Sequence, residues 1–240
     1  MPHGRFTWKN FSREILSEAR FDTIVAFLGF FVCLTALFMT SSRAGVIISL
    51  AGMIGACAFR FRHDLPQKSG RLFTIVGAIC GVLILFQFLG GSVSQRFDAS
   101  GLSDEGRLDT YKGTLQMIAD HPWFGTGLGT FVWAFPHYRS PPLWGVWNMA
   151  HSTPLEVTAE LGIPLALLIG LGWIFVLGIL IRGILVRRRD TIVPLAAVTV
   201  SAIALLHSSV DFSLQLSGFA IVAMAVIGVG LAQSFSSVLD

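Results

Sequence analysis

His151 stands just before Thr153-Pro154-Leu155-Glu156, where threonine as N-cap, proline at the first helical position and glutamate at the third make a capping box and start a helix. An imidazole beside the positive end of a helix is well placed for acid–base work, because it takes up and returns protons near neutral pH. His3, His63, His121 and His137 lack that setting and read as polar surface residues. Arg43, Arg96, Arg107, Lys112 and Arg139 are basic residues that membrane topology does not explain. A guanidinium is always charged and grips phosphate oxygens with two parallel hydrogen bonds. Glu160 shares a helix face with Glu156 and is open to two readings, a solvated residue or a partner for one of these arginines. His207 and Asp211, at i and i+4, are expected to pair with each other.

Gly125, Gly127 and Gly129 in GTGLGT invite a nucleotide-loop reading, but the spacing is neither GxGxxG nor a P-loop and no strand precedes it. A tight turn that brings backbone close to a helix or a ligand is expected instead. Cys33, Cys57 and Cys80 each lie inside an apolar run without CxxC or Cys/His spacing, so they read as small packing residues. Neither a metal nor another cofactor is expected.

The elements that must hold these groups follow from composition. Of 240 residues 53% are hydrophobic and 13% charged, with a mean hydropathy of +0.70; soluble domains carry roughly a quarter charged residues. Soluble enzyme folds are excluded. The basic residues fall between apolar runs, so a net charge of +3 does not point to nucleic acid.

Crossing the hydrocarbon takes about 20 apolar residues, and runs of that kind occur at 23–40, 44–59, 72–91, 163–182, 191–210 and 214–233. The expectation is an all-α integral membrane protein with about six transmembrane helices. Twelve of the 17 Lys and Arg residues sit in alternate gaps, which places the N- and C-termini inside and the 92–162 segment outside. The chain thus divides into a cytoplasmic or interfacial segment 1–22, spans one to three at 23–91, an extracytoplasmic segment 92–162 carrying the candidate site, and spans four to six with a short tail at 163–240. The second run is rich in small residues, suited to close packing on another helix.

Within the long segment, Ser103 followed by two acids is a helix start. Leu108, Tyr111, Leu115 and Ile118 form an apolar stripe, so an amphipathic helix should run to about Asp120, where Pro122 stops it. Gly162 and Pro164 should break or kink the next helix. Trp123, Phe131, Trp133, Phe135, Tyr138, Trp144 and Trp147 suit chain lying at the headgroup level.

Gly106-Arg107-Leu108-Asp109-Thr110-Tyr111, then Asp120-His121-Pro122-Trp123-Phe124-Gly125 with the glycine turn, then Ala150-His151-Ser152, Leu155-Glu156 and Glu160-Leu161-Gly162 resemble, in this order, the O-antigen ligase and polymerase family of bacterial membrane glycosyltransferases. Ser42-Arg43 and His207-Ser208-Ser209-Val210-Asp211-Phe212 fit the same family, so the resemblance runs from about Arg43 to Gly230. It implies transfer of a glycan from a polyprenyl diphosphate carrier to an acceptor hydroxyl, on lipid A core for a ligase or on a growing polysaccharide for a polymerase. The expected setting is the outer face of the bacterial inner membrane, in lipopolysaccharide and other surface-polysaccharide biosynthesis.

Under this resemblance His151 is the catalytic candidate, either as base toward the acceptor or as a ligand of the diphosphate. Arg43, Arg107, Arg139 and Glu160 are the substrate-binding candidates. Arg43 and Arg107 would converge on one diphosphate in place of a metal ion, with Arg139 a weaker third cation. Family members usually carry further spans before the position of Arg43, so the chain reads as a truncated reading frame or a fragment, with a membrane-protein partner implied if it is truncated, and Ser152 stands where the family usually has asparagine. A transporter or flippase, or a non-catalytic membrane scaffold, stays open beside the enzyme.

Overall fold

Helices that are apolar on every side can bury their surface only against one another or in lipid, and such helices dominate the computed structural model, which describes residues 21–40, 42–60, 105–140, 147–187 and 191–235. Regular structure among the described residues is entirely helical: α1 Phe21–Met39, α2 Arg43–Arg60, α3 Glu105–Asp120, α4 Phe131–Ala134, α5 Thr153–Val186, α6 Ile192–Ser208 and α7 Ser217–Phe235, with 3-10 turns at Phe135–His137 and Ser213–Gln215. Five of the six apolar runs fall on α1, α2, α5, α6 and α7. The run at 72–91, the interfacial helix expected within 1–22 and the Ser103 cap lie outside the described residues.

Two helices, α5 and α7, are long and apolar enough to cross a membrane. Only 6% of the most apolar stretch of α5 is buried, so this is no core helix of a soluble fold. At 34 residues it would reach about 50 Å, well beyond the ~30 Å of hydrocarbon. The excess is set apart by a break. Gly162 leaves the helical region at φ 80 and ψ 165, and Pro164 follows, as the sequence led us to expect. The part before the break carries Glu156 and Glu160; the part after it begins the exposed apolar surface at Ile163.

α6 is the centre of the bundle and touches α2, α5 and α7. Small residues allow the approach: a Cβ on Gly52 of α2 would sit 2.7 Å from Ile203, and Gly230 of α7 lies against Ala197. Leu180, Ala197 and Ile227 form the buried core of α5, α6 and α7, while Leu34, Phe38, Val46 and Leu50 join α1 to α2. The expected packing role of the cysteines needs correcting, since Cys33 and Cys57 are exposed on α1 and α2; Cys80 is outside the described residues.

A separate core forms over one end of the bundle, where Met117, Phe131, Phe135, Ala150 and Ala159 bury one another and Phe131 stacks on Phe135 at 4.9 Å. α3 ends at Asp120 as Pro122 requires; Ile118 of its apolar stripe packs against this core, and the fully buried positions of the helix are smaller or more flexible residues. Leu108 and Leu115 are exposed, and Thr110, Thr114 and Met117 are fully buried. Thr110 and Thr114 donate to carbonyls four residues back, those of Gly106 and Thr110, so their hydroxyls need no outside partner. Gly113 lets the Tyr138 carbonyl approach where a Cβ would be 2.7 Å away.

Candidate active site

Four pieces of chain converge where α5 begins: the N-terminal turn of α3, the strand-like approach to α5, the end of α6 and the turn after it. The approach is set by His151, whose φ of 54 is in the left-handed region, a conformation that histidine adopts more readily than most residues. Its carbonyl accepts a hydrogen bond from the Tyr111 hydroxyl at 2.8 Å, and its ring is flanked edge-on by Trp147 and Phe212. The reversal at His151 also moves the helix cap. Ser152, in an extended conformation, is the N-cap, and Thr153 is the first helical residue. The expected capping box does not close. Glu156 accepts the Ala150 N–H instead, at 2.6 Å, because the turn at His151 swings that donor over the start of α5.

Burial raises the Glu156 carboxyl above its ordinary value, and the neighbouring Glu160 charge adds to the rise, against the lowering effects of the Ala150 N–H, Gln215 and His151.

Asp211 is the residue that joins the pieces. Its Oδ1 lies 3.4 Å from Nδ1 of His151 and accepts the Phe212 N–H at 2.9 Å, while Oδ2 lies 3.9 Å from Arg107. Arg107 also donates to the Val210 carbonyl at 3.1 Å, so it is tied to the same turn twice. At 3.4 Å without hydrogen-bond alignment, the His151–Asp211 contact is an ion pair in waiting, strengthened whenever the imidazole gains a proton. Burial alone would raise the Asp211 carboxyl. The His151 contact, the Phe212 N–H and the Arg107 charge together outweigh burial and hold it below the ordinary carboxylate value. Nδ1 of His151, the nitrogen that faces Asp211, is buried, while the side chain as a whole is 25% exposed.

His207 does not pair with Asp211 as an i, i+4 partner. The helix ends at Ser208, and Nε2 of His207 lies 3.4 Å from Oγ of Ser42, which itself accepts the Gly45 N–H. His207 stays within electrostatic reach of Asp211 and Arg107. The start of α2, where Arg43 is the first residue, is therefore one side chain away from the cluster. Arg139 is exposed and follows Tyr138, whose carbonyl packs over Gly113 in the middle of α3.

Glu160 is turned inward. It is 5% exposed, and its two oxygens accept the N–H groups of Gly129 and Phe131 at 2.9 and 2.8 Å, so its partners are backbone donors of the glycine turn rather than an arginine. The turn itself is the close approach the sequence called for. Gly125, Gly127 and Gly129 all have positive φ, and the Thr126 and Gly127 N–H groups reach the Ala159 and Glu160 carbonyls.

Sequence reasoning placed His151, Arg43 and Arg107 in one functional group, but it gave Asp211 His207 as its partner and Tyr111 only a place on the apolar stripe, and missed the contacts of both with His151. Both lie in the stretches that carried the resemblance, and only the folded turn after α6 shows what Asp211 faces. Comparison with protein families matches residues 28–170 to the O-antigen ligase family. No curated protein matches the chain. The match takes in the first hairpin, α3, the glycine turn, His151 and the broken part of α5, which is more than half of the chain: the protein belongs to the O-antigen ligase family.

Proposed function

We propose that the protein is a membrane glycosyltransferase of surface-polysaccharide biosynthesis that moves a glycan from a polyprenyl diphosphate to an acceptor hydroxyl, on lipid A core or on a second carrier-linked glycan. The observation that carries this reading is the His151–Asp211–Arg107 cluster, assembled from three elements in a chain of this family.

The chemistry follows from where charge moves. The acceptor oxygen attacks the anomeric carbon, the bond from that carbon to the diphosphate breaks, and the bonding pair leaves on the diphosphate. The acceptor proton passes to Nε2 of His151. Asp211 faces Nδ1, which favours the tautomer with the proton on Nδ1 and a free pair on Nε2, and it stabilises the imidazolium that forms. Arg107, one-third exposed, and Arg43 at the start of α2 are the cations for the growing diphosphate charge. Glu160 acts from behind the glycine turn and not on the substrate.

A second feature suits a lipid-linked donor. An apolar groove of about 290 Å³ is lined by Thr153, Pro154 and Ser208 next to the cluster and by Trp173, Ile174 and Leu177 further along α5. A polyprenyl chain lying there would bring its diphosphate toward the mouth of the cluster.

The test is transfer by the full chain in proteoliposomes, supplied with a polyprenyl-diphosphate glycan and either lipid A core or a carrier-linked acceptor. Product that forms with wild type and is lost with His151→Ala supports the reading. Equal transfer by both would overturn it.

A further inference from the structure

The turn after α3 leaves its largest apolar side chains uncovered. Trp123, Phe124, Leu128 and Trp133 are 71%, 88%, 76% and 78% exposed. A loop that folded for its own sake would bury such groups, since an aromatic side chain hides about 150–250 Å². In this loop the backbone is buried instead. The Trp123–Phe124 peptide lies so close to Gly162 that a Cβ there would be 2.3 Å from the Trp123 carbonyl oxygen, and the Ile163 N–H donates to the Pro122 carbonyl at 2.8 Å. With Glu160 holding Gly129 and Phe131, the loop is fastened to α5 through its main chain and its apolar side chains are pushed outward.

Where it is fastened decides what those side chains meet. Before Gly162, α5 carries the buried acids Glu156 and Glu160; after it, Ile163, Leu165, Leu167 and Leu168 are apolar and exposed. Gly162 is thus the polar–apolar boundary of a helix of membrane-crossing length, and the loop that carries the exposed aromatics is fastened at that boundary. Tryptophan with an apolar body and a polar N–H settles at such a boundary. A sugar platform would need convergent polar side chains beside the rings, and Glu160, the carboxylate fastened to the loop, turns both oxygens to the loop's own N–H groups.

We propose that Trp123, Phe124, Leu128 and Trp133 form an interfacial anchor that enters the headgroup layer of the bilayer, and that its main-chain lock on Gly162 holds the start of α5, with the His151 cluster, at a fixed height over the membrane. This rests on the membrane reading above and goes beyond it.

The experiment uses the full chain with Cys33, Cys57 and Cys80 replaced by serine and one new cysteine, labelled with an environment-sensitive fluorophore, at Phe124→Cys, Leu128→Cys, Leu168→Cys or Lys112→Cys. Vesicles of phosphatidylethanolamine and phosphatidylglycerol carry nitroxide either at the headgroup or deep in the acyl chain. Positions 124 and 128 should lose fluorescence to the headgroup nitroxide more than to aqueous iodide, position 168 to the deep nitroxide, and position 112 to iodide. If 124 and 128 behave like 112 while 168 is quenched in the chain region, the anchor is wrong and the membrane reading stands. If 168 is also quenched only by iodide, both fall. Shielding of 124 and 128 from iodide by added oligosaccharide, with no lipid quenching, would make the patch a glycan platform and overturn the proposal.

Discussion

Asp211 and His151 meet at 3.4 Å across the gap between the end of α6 and the start of α5, and the same carboxylate reaches Arg107 on α3. Three elements with no shared hydrogen-bond ladder are tied through one side chain, and its charge sits behind the nitrogen that is not exposed.

That arrangement makes Asp211→Asn a sharper test than deletion. The amide keeps the size but offers no charge to the imidazolium and can turn an NH2 toward Nδ1, favouring the wrong tautomer. Transfer should fall steeply, approaching the loss from His151→Ala, which is expected to be ~10²–10⁴-fold. Donor binding should change far less than turnover. A kcat near wild type in Asp211→Asn would separate Asp211 from the proton transfer.

Arg107 has two tasks, bracing Asp211 and facing the donor, so its variants should show both. Arg107→Lys keeps a charge but loses the fork that reaches the Val210 carbonyl and Asp211 together. Donor affinity should drop for Arg107→Lys and further for Arg107→Ala. If Arg43 binds the same diphosphate, the Arg43→Ala and Arg107→Ala losses should be non-additive in a double-mutant cycle on donor affinity. Strict additivity would mean that the two arginines serve separate groups.

What could be read in the sequence was local. Pro122 ending α3, Gly162 breaking α5 and the glycine turn pressed on α5 all follow from a missing N–H or a missing Cβ, which act wherever the chain goes. Asp211 was not legible as a partner of His151, because the i, i+4 spacing from His207 assumes a helix through position 211 and α6 stops at Ser208. The inward-packing side of α3 was not legible for a different reason. Periodicity assumes that the apolar side is the buried side, whereas threonines that satisfy their own hydroxyls along the helix, with a glycine between them, pack closer than leucine can.

Glu160 should reveal itself as a loop clamp. Glu160→Gln puts an NH2 where one of two N–H donors, Gly129 or Phe131, needs an oxygen. One buried donor left without a partner costs roughly 1–3 kcal/mol. The variant should unfold at lower temperature and be cut more readily by protease within 122–133. Gly162→Ala should be worse, since it adds strain at φ 80 to the collision with the Trp123 carbonyl. Unchanged proteolysis in both variants would show that the turn does not depend on this lock.

Glu156 and Asp211 should respond to pH with opposite sign. Burial lifts Glu156 above its ordinary 4.5, with Glu160 adding to burial and the Ala150 N–H only partly offsetting it. The folded chain then holds that proton more tightly than the unfolded chain, and the stabilisation is complete below 4.5 and lost as pH rises through the higher folded value. Glu156→Gln keeps an oxygen for Ala150 and has no charge to bury, so it should equal wild type in acid and exceed it in thermal stability at neutral pH. Asp211 is the reverse: although burial opposes it, His151, the Phe212 N–H and Arg107 hold it below 3.8, so its contribution is present above 3.8 and lost as pH falls through the lower folded value. Asp211→Asn should therefore be less stable than wild type at neutral pH, with the gap closing only in strong acid. Thermal unfolding of the three proteins across one pH series reads both signs at once. A neutral-pH loss of stability in Glu156→Gln would mean that its charge, held by Ala150 and Gln215, outweighs the cost of burying it.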